Sequence, residues 1–161
     1  MDFAARPYPG GGALYELEVY AVVHACAGLA PGLYHYEPCG HRLEVLAAPS
    51  AEVAALLADA SQATGIPAER LQVLLVLAAR FPRVMWKYSS MAYAAILKHV
   101  GVLYQTMYLV ATAMGLAPCG VGAGDSDCFA RAAGLDYYAE TSVGEFLLGS
   151  RGSEDGTRSV T

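Results

Sequence analysis

The spacing of hydrophobic and polar positions changes along the chain, and each change predicts an element. Over residues 14–23, Leu17, Val19, Ala21 and Val23 alternate with Glu16, Glu18 and Tyr20. A period of two residues is that of a strand with unlike faces. The stretches 33–36 and 43–46 flank Pro38-Cys39-Gly40-His41, which predicts a β-hairpin with a glycine-containing turn. From Ser50, a good N-cap, the spacing becomes helical, with Val53, Leu56 and Leu57 on one face and Gly65-Ile66-Pro67 as the stop. Residues 71–79 form a continuous apolar run, which suits a central strand buried on both faces.

A long helix is predicted over 89–114, stopped by Gly115. Tyr93, Ile96, Leu97, Val100, Tyr104, Met107, Tyr108 and Ala111 share its apolar face. Apolar residues occur on its other faces too, so the helix is expected to be central. Residues 117–124 read as a glycine-rich loop. Asp125 or Ser126 can cap a short helix through Ala133, ended by Gly134. Residues 142–148 predict a last strand, and the Gly-, Ser- and charge-rich sequence from Gly149 onward predicts a frayed end. One domain over 1–150 and a flexible tail over 151–161 are expected.

Composition changes this picture in one respect. The 161 residues are 55% hydrophobic and 16% charged, against roughly 45–50% and 25% for ordinary soluble domains. The apolar excess needs a cover. A membrane is the poorer one, because Lys98, His99 and Gln105 interrupt the longest apolar stretch. A second copy is the better one, since obligate interfaces resemble a core cut in half; a homodimer is expected. The net charge of −5 and the lack of a basic stripe argue against nucleic acid. The first residues carry no basic region followed by an apolar core, so a cytoplasmic protein is expected.

Two glycine runs and one cationic cluster carry the candidate chemistry. Gly10-Gly11-Gly12 precedes the first strand, and Gly120, Gly122 and Gly124 follow the long helix. Glycine lets backbone approach a flat or phosphorylated ligand; each run read alone is equally a turn. Arg80-Phe-Pro-Arg-Val-Met-Trp-Lys-Tyr88 ends a buried strand and leads into the long helix. A lysine at a helix N-terminus sits in unfavourable potential, which would favour its neutral form, a competent base. The adjacent Tyr88 can donate or accept a proton. The alternative is a lysine snorkelling beside a core aromatic. His35 and His41 are expected on the surface and His99 as a satisfied core residue. Cys26, Cys39, Cys119 and Cys128 fit no zinc spacing and read as small buried hydrophobes, so no metal site is expected.

Taken in order, these segments resemble the nitroreductase superfamily. Arg6-Pro-Tyr-Pro-Gly-Gly-Gly-Ala-Leu-Tyr-Glu is similar to its first flavin-contacting segment. Gly32-Leu-Tyr-His-Tyr, Lys87-Tyr88, Tyr104-Gln105, Gly115-Leu-Ala-Pro-Cys-Gly-Val-Gly, Gly134-Leu-Asp and Gly144-Glu-Phe-Leu-Leu-Gly follow in family order. The likeness is to the SagB-type branch, the azoline dehydrogenases of thiazole- and oxazole-containing peptide pathways. The resemblance implies an α+β fold with a mainly antiparallel sheet around a long central helix. It implies a homodimer with FMN at the subunit interface. It implies Lys87 as base and Tyr88 as its helper, with the substrate hydride passing to the flavin and oxygen as final acceptor. The substrate would be a peptide or carrier-bound azoline, with a cyclodehydratase as partner.

Cofactor contacts implied by the resemblance are Arg6, Pro9, Gly10, Gly11, Gly12, Gln105, Cys119, Gly120, Val121, Gly122, Gly124 and Arg151. The resemblance would place the family's Arg-rich phosphate-binding segment upstream of this sequence, so phosphate binding is expected to fall to Arg6, Arg151 or a partner chain, or not to occur. Gly10 stands where the family usually has serine. Two alternatives stay open: a generic NAD(P)H-dependent FMN nitroreductase or quinone reductase, and a non-catalytic, flavin-less subunit of the same fold.

Overall fold

The computed structural model describes residues 6–152. Six strands and four helices alternate as β1 (Leu17–Val23), β2 (Gly32–Glu37), β3 (Arg42–Ala47), α1 (Ala51–Thr64), β4 (Val73–Arg80), α2 (Pro82–Tyr88), α3 (Ala92–Ala113), β5 (Leu116–Val121), α4 (Ser126–Ala133) and β6 (Glu140–Ser150). The strands form one sheet in the order β3-β2-β1-β4-β6-β5, with every pairing antiparallel.

Strand alternation splits the core into two layers. Tyr20 and Val22 of β1 and Leu74, Val76 and Ala78 of β4 face α1 and α4, where they meet Val53, Leu56, Leu57 and Phe129. Leu17 of β1 and Leu77 and Ala79 of β4 face the other way, onto Val84 of α2 and Ile96, Val100 and Leu103 of α3. One β4 residue thus faces each layer in turn, which is why the 71–79 run is apolar at nearly every position.

The predicted caps are in place. The Ser50 hydroxyl accepts from the Val53 amide, and Gly65 closes α1 with a left-handed φ of 71°. The Asp125 carboxylate accepts from the Cys128 amide at 2.9 Å to start α4.

Three expectations are corrected. The long helix does not begin at residue 89. Pro82, preset for a first turn, starts the separate helix α2, and Ser89 (φ 46°, ψ −121°) breaks the path before α3 begins at Ala92. The glycine-rich loop is largely strand β5, paired with β6 through Pro118↔Leu148 and Gly120↔Phe146. A proline is tolerated there because β5 is an edge strand. The last strand runs on to Ser150, whose amide donates to Gln72 Oε1 at 2.7 Å, so the frayed end does not start at Gly149. The expected tail falls mostly on residues 153–161, outside the described ones.

α3, the long helix, is buried along one face within the single chain. Ile96, Val100, Leu103 and Ala111 are buried, while Tyr93, Leu97, Leu109 and Val110 are exposed. The single chain therefore leaves these apolar side chains of α3, and Met114 just beyond it, on its surface. No helix among the described residues is long and apolar enough to cross a membrane.

Candidate active site

The site is built where the segment before β1 crosses α2 and α3. Gly10 is extended, a 3-10 turn spans Gly11–Ala13, and Gly12 has a left-handed φ of 64°. Ala13 and Tyr15 also have positive φ, at 53° and 46°, a conformation that costs non-glycine residues energy. Tyr8 packs edge-on against Tyr15 at 6.0 Å and steadies the turn. Burial pushes the Tyr8 phenol up to about 12, although Arg6 opposes the shift.

Three side chains converge on this turn. A Cβ on Gly12 would collide with Lys87 Nζ and lie 3.2 Å from the Tyr88 hydroxyl. A Cβ on Gly11 would lie 2.9 Å from His99 Nε2 and 3.3 Å from the Tyr88 hydroxyl. The Gly11 amide donates to His99 Nε2 at 2.8 Å, and His99 Nδ1 lies 2.5 Å from Glu16 Oε1. Lys87 Nζ also stands 5.6 Å from the centre of the Tyr88 ring. Arg83, one turn before Lys87 on α2, donates to the Tyr15 carbonyl at 3.1 Å. One face of α2 therefore grips residues 12–15.

The expected electrostatics of Lys87 are corrected. It lies in the last turn of α2, not at the start of α3. A helix C-terminus favours a positive charge. The side chain is exposed.

Beside the turn lies an ion network that sequence alternation does not suggest. Glu16 and Glu18 are 1% and 3% exposed, although they occupy the polar positions of the strand pattern. Glu18 is ringed by Arg80 at 3.2 Å, His35 at 3.2 Å, Arg83 at 3.4 Å and Arg6 at 3.8 Å. Arg80 also bonds Glu140 at 2.7 Å, and Glu140 accepts from the Tyr20 hydroxyl at 2.6 Å. Burial and the bond to Glu140 both push the Tyr20 phenol up. His35 is thus paired and partly buried, contrary to the expected surface position; His41 is exposed. Of the cysteines, Cys128 is buried and Cys119 partly so, while Cys26 and Cys39 are exposed, which corrects the expectation that all four are buried.

The expected cofactor residues fall into separate groups within one chain. Gly10, Gly11 and Gly12 lie by Lys87, Tyr88 and His99. Arg6 is turned inward to Glu18, and its buried Nε has no hydrogen-bond partner. Pro9 is exposed nearby. Gly120 belongs with Tyr104 and Tyr108: its amide donates to the Tyr108 hydroxyl at 2.6 Å. Tyr108 lies nine residues beyond His99 on α3, about 13 Å along the axis. Cys119 is partly exposed beside Gly120, and Val121 is buried in the α1–α4 layer. Gly122 is open, and Gly124 lies against the Glu145 carboxylate. Gln105 is exposed on α3, and Arg151 donates to the Leu116 carbonyl at 3.3 Å at the sheet edge.

A profile described as Nitroreductase family matches residues 3–149. The chain belongs to the nitroreductase family. It is 33% identical over 119 residues to the microcin B17-processing protein McbC of Escherichia coli, covering 69% of this chain and 42% of McbC. It is 31% identical over 119 residues to the nitroreductase-like protein MJ1384 of Methanocaldococcus jannaschii, covering 73% of this chain and 58% of that protein. It superposes on a chain of the E. coli microcin synthetase McbBCD complex with truncated pro-MccB17 bound, with a TM-score of 0.77 and 25% identity, covering 92% of this chain and 57% of that one. These relatives agree with the SagB-type resemblance. The chain spans about half the length of these proteins.

For this nitroreductase-family chain, Glu16, His99, Arg83 and Gly144 are the site-building residues that sequence reading missed. A Cβ on Gly144 would lie 2.6 Å from the Tyr104 hydroxyl and 2.8 Å from Val100 Cγ1, so glycine there sets how closely α3 approaches β6. A signal for the Glu16–His99 pair exists only in hindsight: two ionisable residues in otherwise apolar elements, 83 positions apart.

Proposed function

We propose that this chain is the core of an FMN-dependent azoline dehydrogenase that oxidises thiazoline or oxazoline rings of a peptide or carrier-bound substrate to thiazoles or oxazoles. The observation that carries the reading is the convergence of Lys87 and Tyr88 on the side-chain-free backbone of Gly11 and Gly12, which they pack against. The likeness to a microcin-processing protein supports it.

The chain's groups fit a flat, phosphorylated ligand. Gly122 presents backbone with nothing within 4 Å of a Cβ position, and Gly10–Gly12 carry no side chains of their own beside Lys87 and Tyr88. Arg151 is exposed at the sheet edge, and Arg6 keeps an unpartnered Nε. FMN, when bound, supplies the acceptor for the hydride. The protein's share is orientation and proton transfer. Lys87 takes the proton from the ring carbon next to the substrate carbonyl. Tyr88, beside it, holds the substrate or passes the proton on.

Completion of the site by a second copy is part of the proposal. Gly10–Gly12 and Gly120–Gly124 meet different groups within one chain, and the apolar outer face of α3 needs a cover. A homodimer would join the first segment of one chain to Gln105 and the β5 segment of the other. A cyclodehydratase as upstream partner and a cytoplasmic setting are part of the proposal, and the likeness to a chain of a synthetase complex supports work within an assembly.

One observation favours a second reading, a flavin-less subunit: Arg6, a candidate phosphate ligand, is engaged by Glu18. The experiment is reconstitution with FMN followed by a thiazoline peptide, with azole formation read by mass and absorbance. Flavin binding and azole formation are expected. Lys87→Ala should keep the flavin and lower the rate about a hundredfold or more. Protein that stays colourless with added FMN supports the second reading. Azoline oxidation undiminished in flavin-bound Lys87→Ala overturns the assigned base.

A further inference from the structure

We infer that Glu16 and His99 are a positioning pair that holds the Gly10–Gly12 segment over Lys87 and Tyr88. Only the activity arm of the test rests on the azoline reading; the rest stands on geometry.

A backbone amide can only donate. The 2.8 Å contact from Gly11 N to His99 Nε2 therefore makes Nε2 an acceptor, without a proton. The ring proton is then on Nδ1 and is donated to Glu16 Oε1 at 2.5 Å. The imidazole is held as the neutral Nδ1–H tautomer by the group on its far side. Glu16 is 1% exposed, and burying a carboxylate is costly unless it is hydrogen-bonded. The pair thus ties the turn before β1 to a residue of α3 88 positions later in the chain.

The packing turns that tie into a control on the site. The face of Gly11 touched by His99 is also the face nearest the Tyr88 hydroxyl, and the next residue, Gly12, lies against Lys87 Nζ. A change in the Gly11–His99 bond therefore alters the spacing of both groups assigned to proton transfer. The His99 ring itself is not assigned a proton-transfer step, because both its nitrogens are engaged by protein groups.

Two substitutions at His99 separate the two halves of the tie. In His99→Asn the amide stands where Nδ1 was, so Glu16 keeps a partner and Gly11 loses its acceptor. In His99→Gln the amide reaches the place of Nε2, so Gly11 keeps an acceptor. The readouts are Gly11 amide hydrogen exchange and the His99 ring nitrogen shifts, both by NMR on the full chain. Kinetics with FMN and a thiazoline peptide follow.

The ring shifts are expected to be those of the neutral Nδ1–H tautomer. Gly11 exchange is expected to rise about tenfold or more in His99→Asn, the effect of losing one hydrogen bond, and to stay near wild type in His99→Gln. kcat/KM should fall in His99→Asn with FMN still bound and return in His99→Gln. A wild-type ring protonated at Nε2 overturns the proposal and needs no variant. Unchanged Gly11 exchange in His99→Asn overturns it too, as does unchanged kcat/KM once exchange has risen. Expected exchange and tautomer in a wild-type protein that forms no azole would sink the azoline reading and leave the positioning pair standing.

Discussion

Lys87 Nζ occupies the space into which a side chain on Gly12 would project. The two residues come from different elements, and a side chain at Gly12 would displace the end of Lys87. Gly12→Ala should push Lys87 away and strain a backbone with φ of 64°. The expected result is a fold loss of about 1 kcal/mol and a larger loss of activity, tenfold or more in kcat/KM. Gly28→Ala is the control: Gly28 also has positive φ, 80°, but a Cβ there meets nothing within 4 Å. It should lose similar stability and keep its activity. Equal kinetics in the two variants would show that Lys87 does not need this seat.

Glu18 is the hub of the ion network, with Arg6, Arg80 and Arg83 around it. Removing one partner of a buried ion pair leaves charge uncompensated, at about 3–5 kcal/mol. Glu18→Leu should lower stability by that order, read as the midpoint of denaturant unfolding. The buried Arg6 makes this more than a surface effect; a change below about 1 kcal/mol, the size of an exposed pair, would contradict the assigned burial.

Burial holds the Glu145 carboxyl above its ordinary range, with Gly124 pressed against it. The folded state thus keeps the proton to higher pH than the unfolded state. Ionisation is penalised in the fold, so stability falls as pH rises from the unfolded carboxyl range through the folded one. Glu145→Gln should therefore melt higher than wild type at neutral pH. The advantage should shrink to nothing towards about pH 4, where the free carboxyl is also protonated. Melting curves of both proteins across that range check the sign.

Leu109 and Val110 are 63% and 53% exposed on α3, with Met114 just beyond. If a second copy covers this face, Leu109→Glu should shift sedimentation from dimer to monomer at micromolar concentration and lower FMN affinity with it. A wild type that sediments as a monomer would remove the two-chain site from the proposal.

Much of this molecule was legible in one dimension. The alternation at 17–23, the hairpin around Pro38–His41, the Ser50 and Asp125 caps and the apolar run of β4 all depend on neighbours two to four residues apart. The resemblance through Lys87-Tyr88 and the glycine segments is likewise an order of local motifs. The tertiary structure decided what local spacing cannot carry. Ser89, with φ of 46°, separates α3 from the short helix α2 that the sequence pattern did not predict. Segment 116–121 is a strand because β6 offers an edge to pair with, despite Pro118 and Gly120. Glu16 and Glu18, polar by pattern, are buried because His99 and three arginines meet them there. The sequence alone determined the family and the elements other than α2 and β5. The meeting of Gly11 with His99 and of Gly12 with Lys87 was settled only when the chain closed on itself, since a contact across more than seventy residues leaves no period to read.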